Sequence, residues 1–180
     1  MQRSQATSLI QSAPIARLRL HSAHEVSVWA DLGCGTGTFT LALAALLPTP
    51  GIIYAVDKNA STLQQIPDRA GNTVLEKINN DFVNDALPFI NLHGILMANA
   101  LHYVKDKSAL LKKLQNYLIE NGCFLIVEYE TSFANPWVPY PIRFDKLKEL
   151  FTEVGFPIVE KIGEMPSRYQ GKMYAALAVV

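Results

Sequence analysis

The sequence predicts an α/β fold of a single domain, a mostly parallel sheet with helices on both faces. Three observations carry this. Runs with strand character alternate with helical patterns along the chain. At 180 residues the chain favours one core, since two would each be marginal. Hydrophobic residues make up 49% and charged residues 18%, enough apolar material to fill a sheet enclosed by two helical layers.

Residues 26–32 (VSVWADL) form a short β-branched run ending in glycines, as a buried parallel strand does. Residues 38–47 give a compact apolar helix stopped by Pro48 and Pro50. Residues 51–56 (GIIYAV) are a second strand leading into Asp57, and 59–66 a short helix closed by Pro67. A third strand covers 73–78 and precedes Asn80-Asp81-Phe82; a fourth, 94–98 (GILMA), runs into Asn99. Apolar residues at 110, 111, 114, 117 and 118 predict a helix over 106–119, ended by Asn121-Gly122. Residues 123–127 (CFLIV) make a fifth strand, and the prolines at 136, 139 and 141 make 131–142 a loop. A helix over 144–154 closes at Gly155, and 157–162 and 172–180 are a final pair of strands.

The N-terminal 24 residues carry Arg3, Arg17 and Arg19 and no acid, a pattern shared with organelle transit segments. The simpler expectation is an N-terminal lid or leading segment with a helix around 7–20, interrupted or started near Pro14, followed by the domain proper at 25–180. Lysine plus arginine equals aspartate plus glutamate at 16 each, so no basic surplus marks a nucleic-acid binder. No apolar run reaches the length of a membrane span. Cys34 and Cys123 fit no zinc spacing and no disulfide framework, which implies a reduced, cytoplasmic setting; no metal site is expected. Oligomeric state is not legible.

The strongest signal is Asp31-Leu32-Gly33-Cys34-Gly35-Thr36-Gly37, between the first strand and the first helix. Glycines there let the backbone turn sharply and let a ligand reach main-chain atoms. A dinucleotide fingerprint, G-x-G-x-x-G, needs its third glycine where this chain has Thr38, and the spacing disfavours NAD.

Residues 28–38 (VWADLGCGTGT) resemble motif I of the class I S-adenosylmethionine (SAM)-dependent methyltransferases, an acid followed by G-x-G-x-G. The resemblance covers roughly residues 25–180 and implies a Rossmann-like, doubly wound, seven-stranded sheet of order 3-2-1-4-5-7-6, strand 7 antiparallel. It implies that Gly33, Cys34, Gly35 and Gly37 line SAM and that Asp31 holds its methionine amino group, directly or through water. Asp57, with Lys58 beside it, would bind the ribose hydroxyls, an arrangement NAD-binding folds share. Asp81 would accept from the adenine amino group, with Phe82 against the ring. Residues 87–104 (LPFINLHGILMANALHYV) resemble the fourth-strand region of a branch rich in small-molecule enzymes, where the backbone around Asn99 meets the methionine moiety. An acid commonly opens that strand in the family; here it is His93.

His102 is the candidate general base, with packing as the alternative, and Tyr103 stands beside it. His21 and His24 are candidates by position alone. Phe133, Trp137 and Tyr140 on the proline-rich loop, with Glu128 and Tyr129 at the end of the fifth strand, mark an acceptor side suited to an apolar or aromatic small molecule; alternatively Trp137 covers the last helix. The expected function is methyl transfer from SAM, leaving S-adenosylhomocysteine, to a small-molecule acceptor. The alternatives are a non-catalytic partner subunit of the same fold and an NAD(P)-dependent reductase.

Overall fold

A computed structural model describes residues 1–13, 26–48, 50–167 and 171–179. Its centre is β1 (Ser27–Leu32), whose side chains are buried at nearly every position. Parallel neighbours flank it: β2 (Gly51–Asp57) on one side and β5 (Leu92–Ala98) on the other. Beyond β2 lies β4 (Thr73–Asn79), edged by the two-residue antiparallel strand β3 (Arg69–Ala70). Beyond β5 come β6 (Leu118–Tyr129), then antiparallel β8 (Lys172–Val179), then β7 (Ile158–Pro166) at the far edge. The sheet order is β3-β4-β2-β1-β5-β6-β8-β7. Without the short edge strand β3, the seven others follow 3-2-1-4-5-7-6 with the last antiparallel.

Two helical layers enclose the sheet. On one face, α1 (Arg3–Ile10), α2 (Thr38–Ala44) and α3 (Ala60–Leu63) bury Leu9, Ile10, Phe39, Leu43 and Leu63 against Trp29, Ile53 and Leu125. On the other, α4 (Lys107–Leu114) and α5 (Phe144–Glu153) bury Leu110, Leu111, Leu114, Leu147 and Phe151 against Ile95, Phe124 and Tyr174. Side chains alternate across a strand, so the two interiors draw on the same strands at alternate positions. Among the described residues no helix is long and apolar enough to cross a membrane.

Two helices differ from expectation. The first begins earlier, at Arg3, and packs on α2 and β7 with Ala6, Leu9 and Ile10 buried. Its end lies so close to β7 that a Cβ on Gly163 would sit 2.1 Å from the Leu9 carbonyl oxygen. Residues 14–25, with Pro14, Arg17, Arg19, His21 and His24, lie outside the described residues. The helix expected over 106–119 stops at Leu114 and passes through a 3-10 turn, Gln115–Tyr117. Tyr117 turns back so that its hydroxyl accepts from the Leu87 amide at 3.2 Å, and Leu118 pairs with Leu92 in the sheet. The apolar residues at 117 and 118 therefore serve the sheet.

Candidate active site

The carboxyl ends of β1, β2, β4 and β5 open together into a cleft of about 470 Å³. Gly33, Asp57, Lys58, Asp81, Phe82, Asn99 and Tyr103 line it, all anticipated, together with Asn80, Val83, Asn84, Ala100 and Val104. The topology is responsible: β1 is the switch strand between the two halves of the sheet, where such folds open a crevice.

The glycine loop is anchored to β2 by the amides of Gly33 and Cys34, which donate to the Val56 carbonyl at 2.8 and 3.1 Å. Gly33 has φ +76°, and a Cβ there would lie 2.8 Å from that of Ala100 and 3.6 Å from the Phe82 ring. At Gly35, φ +54°, a Cβ would meet nothing within 4 Å. The first glycine is thus required by packing, while the second faces open space. The Gly35 amide donates to Asp57 Oδ2 at 2.8 Å, and the Asn59 amide to Oδ1 at 2.9 Å. Cys34, Gly35 and Gly37 belong to the loop but do not line the cleft, and burial pushes the Cys34 thiol up, away from the reactive thiolate.

Asp31 also does not line the cleft; it is fully buried next to the loop. The Thr40 hydroxyl donates to its Oδ2 at 2.6 Å, whereas Oδ1 has no partner among the described residues. Burial pushes its pKa up to about 7; the Thr40 bond works against that rise and the Asp57 charge adds to it. A second orphaned acceptor is Asn99 Oδ1, on a residue with φ +54° whose amide donates to Val127 O at 2.8 Å. A third is Asn80 Oδ1, on the cleft wall after β4. Buried acceptors without donors are costly, and these three fit a ligand that brings N–H groups.

Asp81 accepts from the Val83 amide at 3.1 Å and from Asn84 Nδ2 at 2.9 Å. Burial opposes its ionisation, but these bonds and the nearby Lys58 charge hold its carboxyl below the usual range. Lys113 of α4 steadies the turn by donating to the carbonyls of Phe82 and Val83 at 3.1 and 3.2 Å, a contact no sequence pattern announced.

His102, the expected general base, does not line the cleft and is 1% exposed. Its amide donates to Glu128 Oε1 at 3.0 Å, and its ring Nδ1 lies 2.6 Å from Glu128 Oε2. A carboxylate only accepts, so Nδ1 carries the hydrogen, and in the neutral ring Nε2 then presents a lone pair. The rings of Tyr103 and Tyr129 flank it, and the Tyr140 amide donates to its carbonyl at 3.0 Å. His93 accepts from the Val28 amide at 3.1 Å, a bond between strands at the far end of the sheet. Tyr129, Trp137 and Tyr140 do not line the cleft, and Phe133 and Trp137 are 82% and 76% exposed. His21 and His24 lie outside the described residues.

The family model described as "Methyltransferase domain" matches residues 30–124, more than half of the chain and the span that builds the cleft. The ubiquinone/menaquinone biosynthesis C-methyltransferase UbiE of Shewanella frigidimarina is 28% identical over 144 residues, covering 75% of this chain and 51% of the relative. The chain thus spans about half the length of the curated relatives it matches. Among solved structures, magnesium protoporphyrin IX methyltransferase from Synechocystis PCC 6803, with bound S-adenosylhomocysteine, superposes with a TM-score of 0.71 at 13% identity, covering 98% of this chain and 82% of that one. A SAM-dependent methyltransferase from Aquifex aeolicus gives 0.64 at 16% identity over 100% and 99% of the two chains. With the motif-bearing half of the sequence matched and the strand order in place, the chain belongs to the methyltransferase domain family, in its class I, SAM-dependent form.

Proposed function

We propose that this chain transfers a methyl group from SAM to a small-molecule acceptor by in-line displacement. The observation that carries the reading is the set of orphaned buried acceptors: Asp31 Oδ1 beside the glycine loop, and Asn80 Oδ1 and Asn99 Oδ1 on the wall of the cleft that Asp57 and Asp81 also line. Bound SAM supplies a methyl on a positively charged sulfur, already activated for displacement. The chain's task is then to hold and orient. Asp31 and Asn99 take the ammonium of the methionine moiety, Gly33 and Gly35 let the backbone approach, Asp57 accepts from the ribose, and Asp81 and Phe82 hold the adenine, with Lys58 at the rim. Positioning of this kind lowers a barrier by about 7–11 kcal/mol when the geometry is good.

The acceptor enters beside Tyr103, which lines the cleft and is 58% exposed, on the side of the loop whose Tyr140 amide bonds the His102 carbonyl. His102, oriented by Glu128, takes a proton from an acceptor that must lose one, through Nε2. The name of the relatives, C-methyltransferase, makes an activated carbon the first acceptor class to screen.

Isothermal titration with SAM, S-adenosylhomocysteine, NADH and NADPH tests the cofactor. SAM and S-adenosylhomocysteine bind, and Asp57→Ala weakens both; binding of a nicotinamide cofactor alone refutes the proposal. Labelled SAM incubated with fractionated metabolites then identifies the acceptor, and tight SAM binding with no transfer to any fraction favours a non-catalytic partner subunit.

A further inference from the structure

Thr40 is fully buried in α2, and its hydroxyl spends its single hydrogen outside its own helix. Threonines in helices ordinarily return that hydrogen to the carbonyl one turn back. Other helical threonines of this chain do so: Thr7 donates to Arg3 O, Thr152 to Lys148 O, and Thr62 to Asn59 O. Thr40 donates instead to Asp31 Oδ2, at 2.6 Å. The result is a buried carboxyl with one oxygen hydrogen-bonded and the other, Oδ1, without a donor.

We propose that Thr40 is a positioning residue of the cofactor site, turning Asp31 so that Oδ1 faces the ammonium of the cofactor's amino-acid moiety. The proposal rests on the SAM-binding reading above and adds to it a residue outside the glycine motif. Thr40 also keeps Asp31 available as an anion. The groups facing Asp31 all discourage its charge or leave it unaided. Asp57 adds a second carboxylate from the end of β2, the glycine loop brings the Cys34 thiol, and β5 sets Leu96 opposite it in the sheet. The Thr40 hydroxyl is the hydrogen bond that offsets them. Without it, Asp31 holds its proton to higher pH, and an incoming ammonium must first displace that proton.

The test compares Thr40→Val and Thr40→Ser with the parent by calorimetric titration from about pH 6 to about pH 9. The ligands are S-adenosylhomocysteine, which carries the ammonium, and methylthioadenosine, which lacks the amino-acid moiety. A carbon-13 carboxyl NMR titration of Asp31 in ligand-free protein runs alongside. Thr40→Val weakens S-adenosylhomocysteine by about tenfold near neutral pH, a loss that narrows as pH rises. It leaves methylthioadenosine unchanged and moves the Asp31 titration upward, and Thr40→Ser restores all three. Equal weakening of both ligands, or a loss independent of pH, overturns the proposal. If the parent binds neither ligand, the functional reading fails by itself; the NMR titration still judges the pin, which an unmoved Asp31 in Thr40→Val overturns. Should Thr40→Val not fold, Thr40→Ala takes its place in the same measurements.

Discussion

Glu128 separates a structural from a chemical role for the buried pair at the end of β6. Its two oxygens serve the main-chain and ring N–H groups of His102 at 3.0 and 2.6 Å, and both side chains are at most 2% exposed. Glu128→Ala strips both donors of their acceptor. An orphaned buried donor costs about 1–3 kcal/mol, so the expected loss is about 2–6 kcal/mol. Glu128→Gln behaves differently. Its amide oxygen still accepts from the His102 amide, while its NH₂ donates to Nδ1 and forces the hydrogen onto Nε2. Stability then falls by only about 1 kcal/mol, but the lone pair offered as a base is gone. Urea denaturation of both variants measures the first effect, and nitrogen-15 NMR of the imidazole reads the tautomer. Once an acceptor is identified, Glu128→Gln lowers turnover by about 10²–10⁴-fold with SAM affinity intact. A loss below about 1 kcal/mol in Glu128→Ala, or an unchanged tautomer in Glu128→Gln, refutes the reasoning.

Three further outcomes follow from the geometry. Gly163→Ala forces a Cβ against the Leu9 carbonyl; it costs about 1–3 kcal/mol and removes hydrogen-exchange protection from α1, while the cleft keeps its protection. Gly35→Ala puts a methyl into the open space beside the loop and abolishes SAM binding, for a stability cost of about 1–2 kcal/mol set by its positive φ; Gly33→Ala, driven into Ala100, loses both binding and stability by thermal melting. Because the Asp31 pKa is raised from 3.8 to about 7, the folded state binds more protons than the unfolded state between those values, and ligand-free stability falls as pH rises through that window. The fall is about 4 kcal/mol, flattens above the folded pKa, and disappears in Asp31→Asn, all readable from urea midpoints across pH.

The strands were legible because buried parallel strands are written as unbroken apolar runs: Gly94 to Met97 and Cys123 to Val127 are buried at every position. The acids were legible for a related reason, since each stands where such a run stops. What failed was periodicity at a junction. Tyr117 and Leu118 continue the helical spacing of α4, yet their burial is earned by contacts with Leu87 and Leu92, which no local pattern contains. Thr40 and Lys113 were missed for the same reason: both act by reaching from a helix to a strand end or turn, and helix phase relative to the sheet is a tertiary fact. The link from His102 to Glu128 was nearer to hand. Both residues had been singled out, and placing the fourth strand beside the fifth, with Ala98 opposite Val127, brings them together.

Charge sharpens the choice of ligand beyond what glycine spacing allows. Asp31, Asp57 and Asp81 stand at the ends of three neighbouring strands, while Lys58 is the lysine on the cleft wall. A dinucleotide would bring a pyrophosphate to the glycine loop, where Asp57 already accepts from the Gly35 amide that such a phosphate needs. It would also lie beside Asp31, a carboxyl that burial already strains toward its neutral form, so the added anion would work against both. A ligand with an ammonium and a sulfonium reverses every sign. It would give Asp31 Oδ1 and Asn99 Oδ1 the donors they lack, and would draw the Asp31 pKa down on binding.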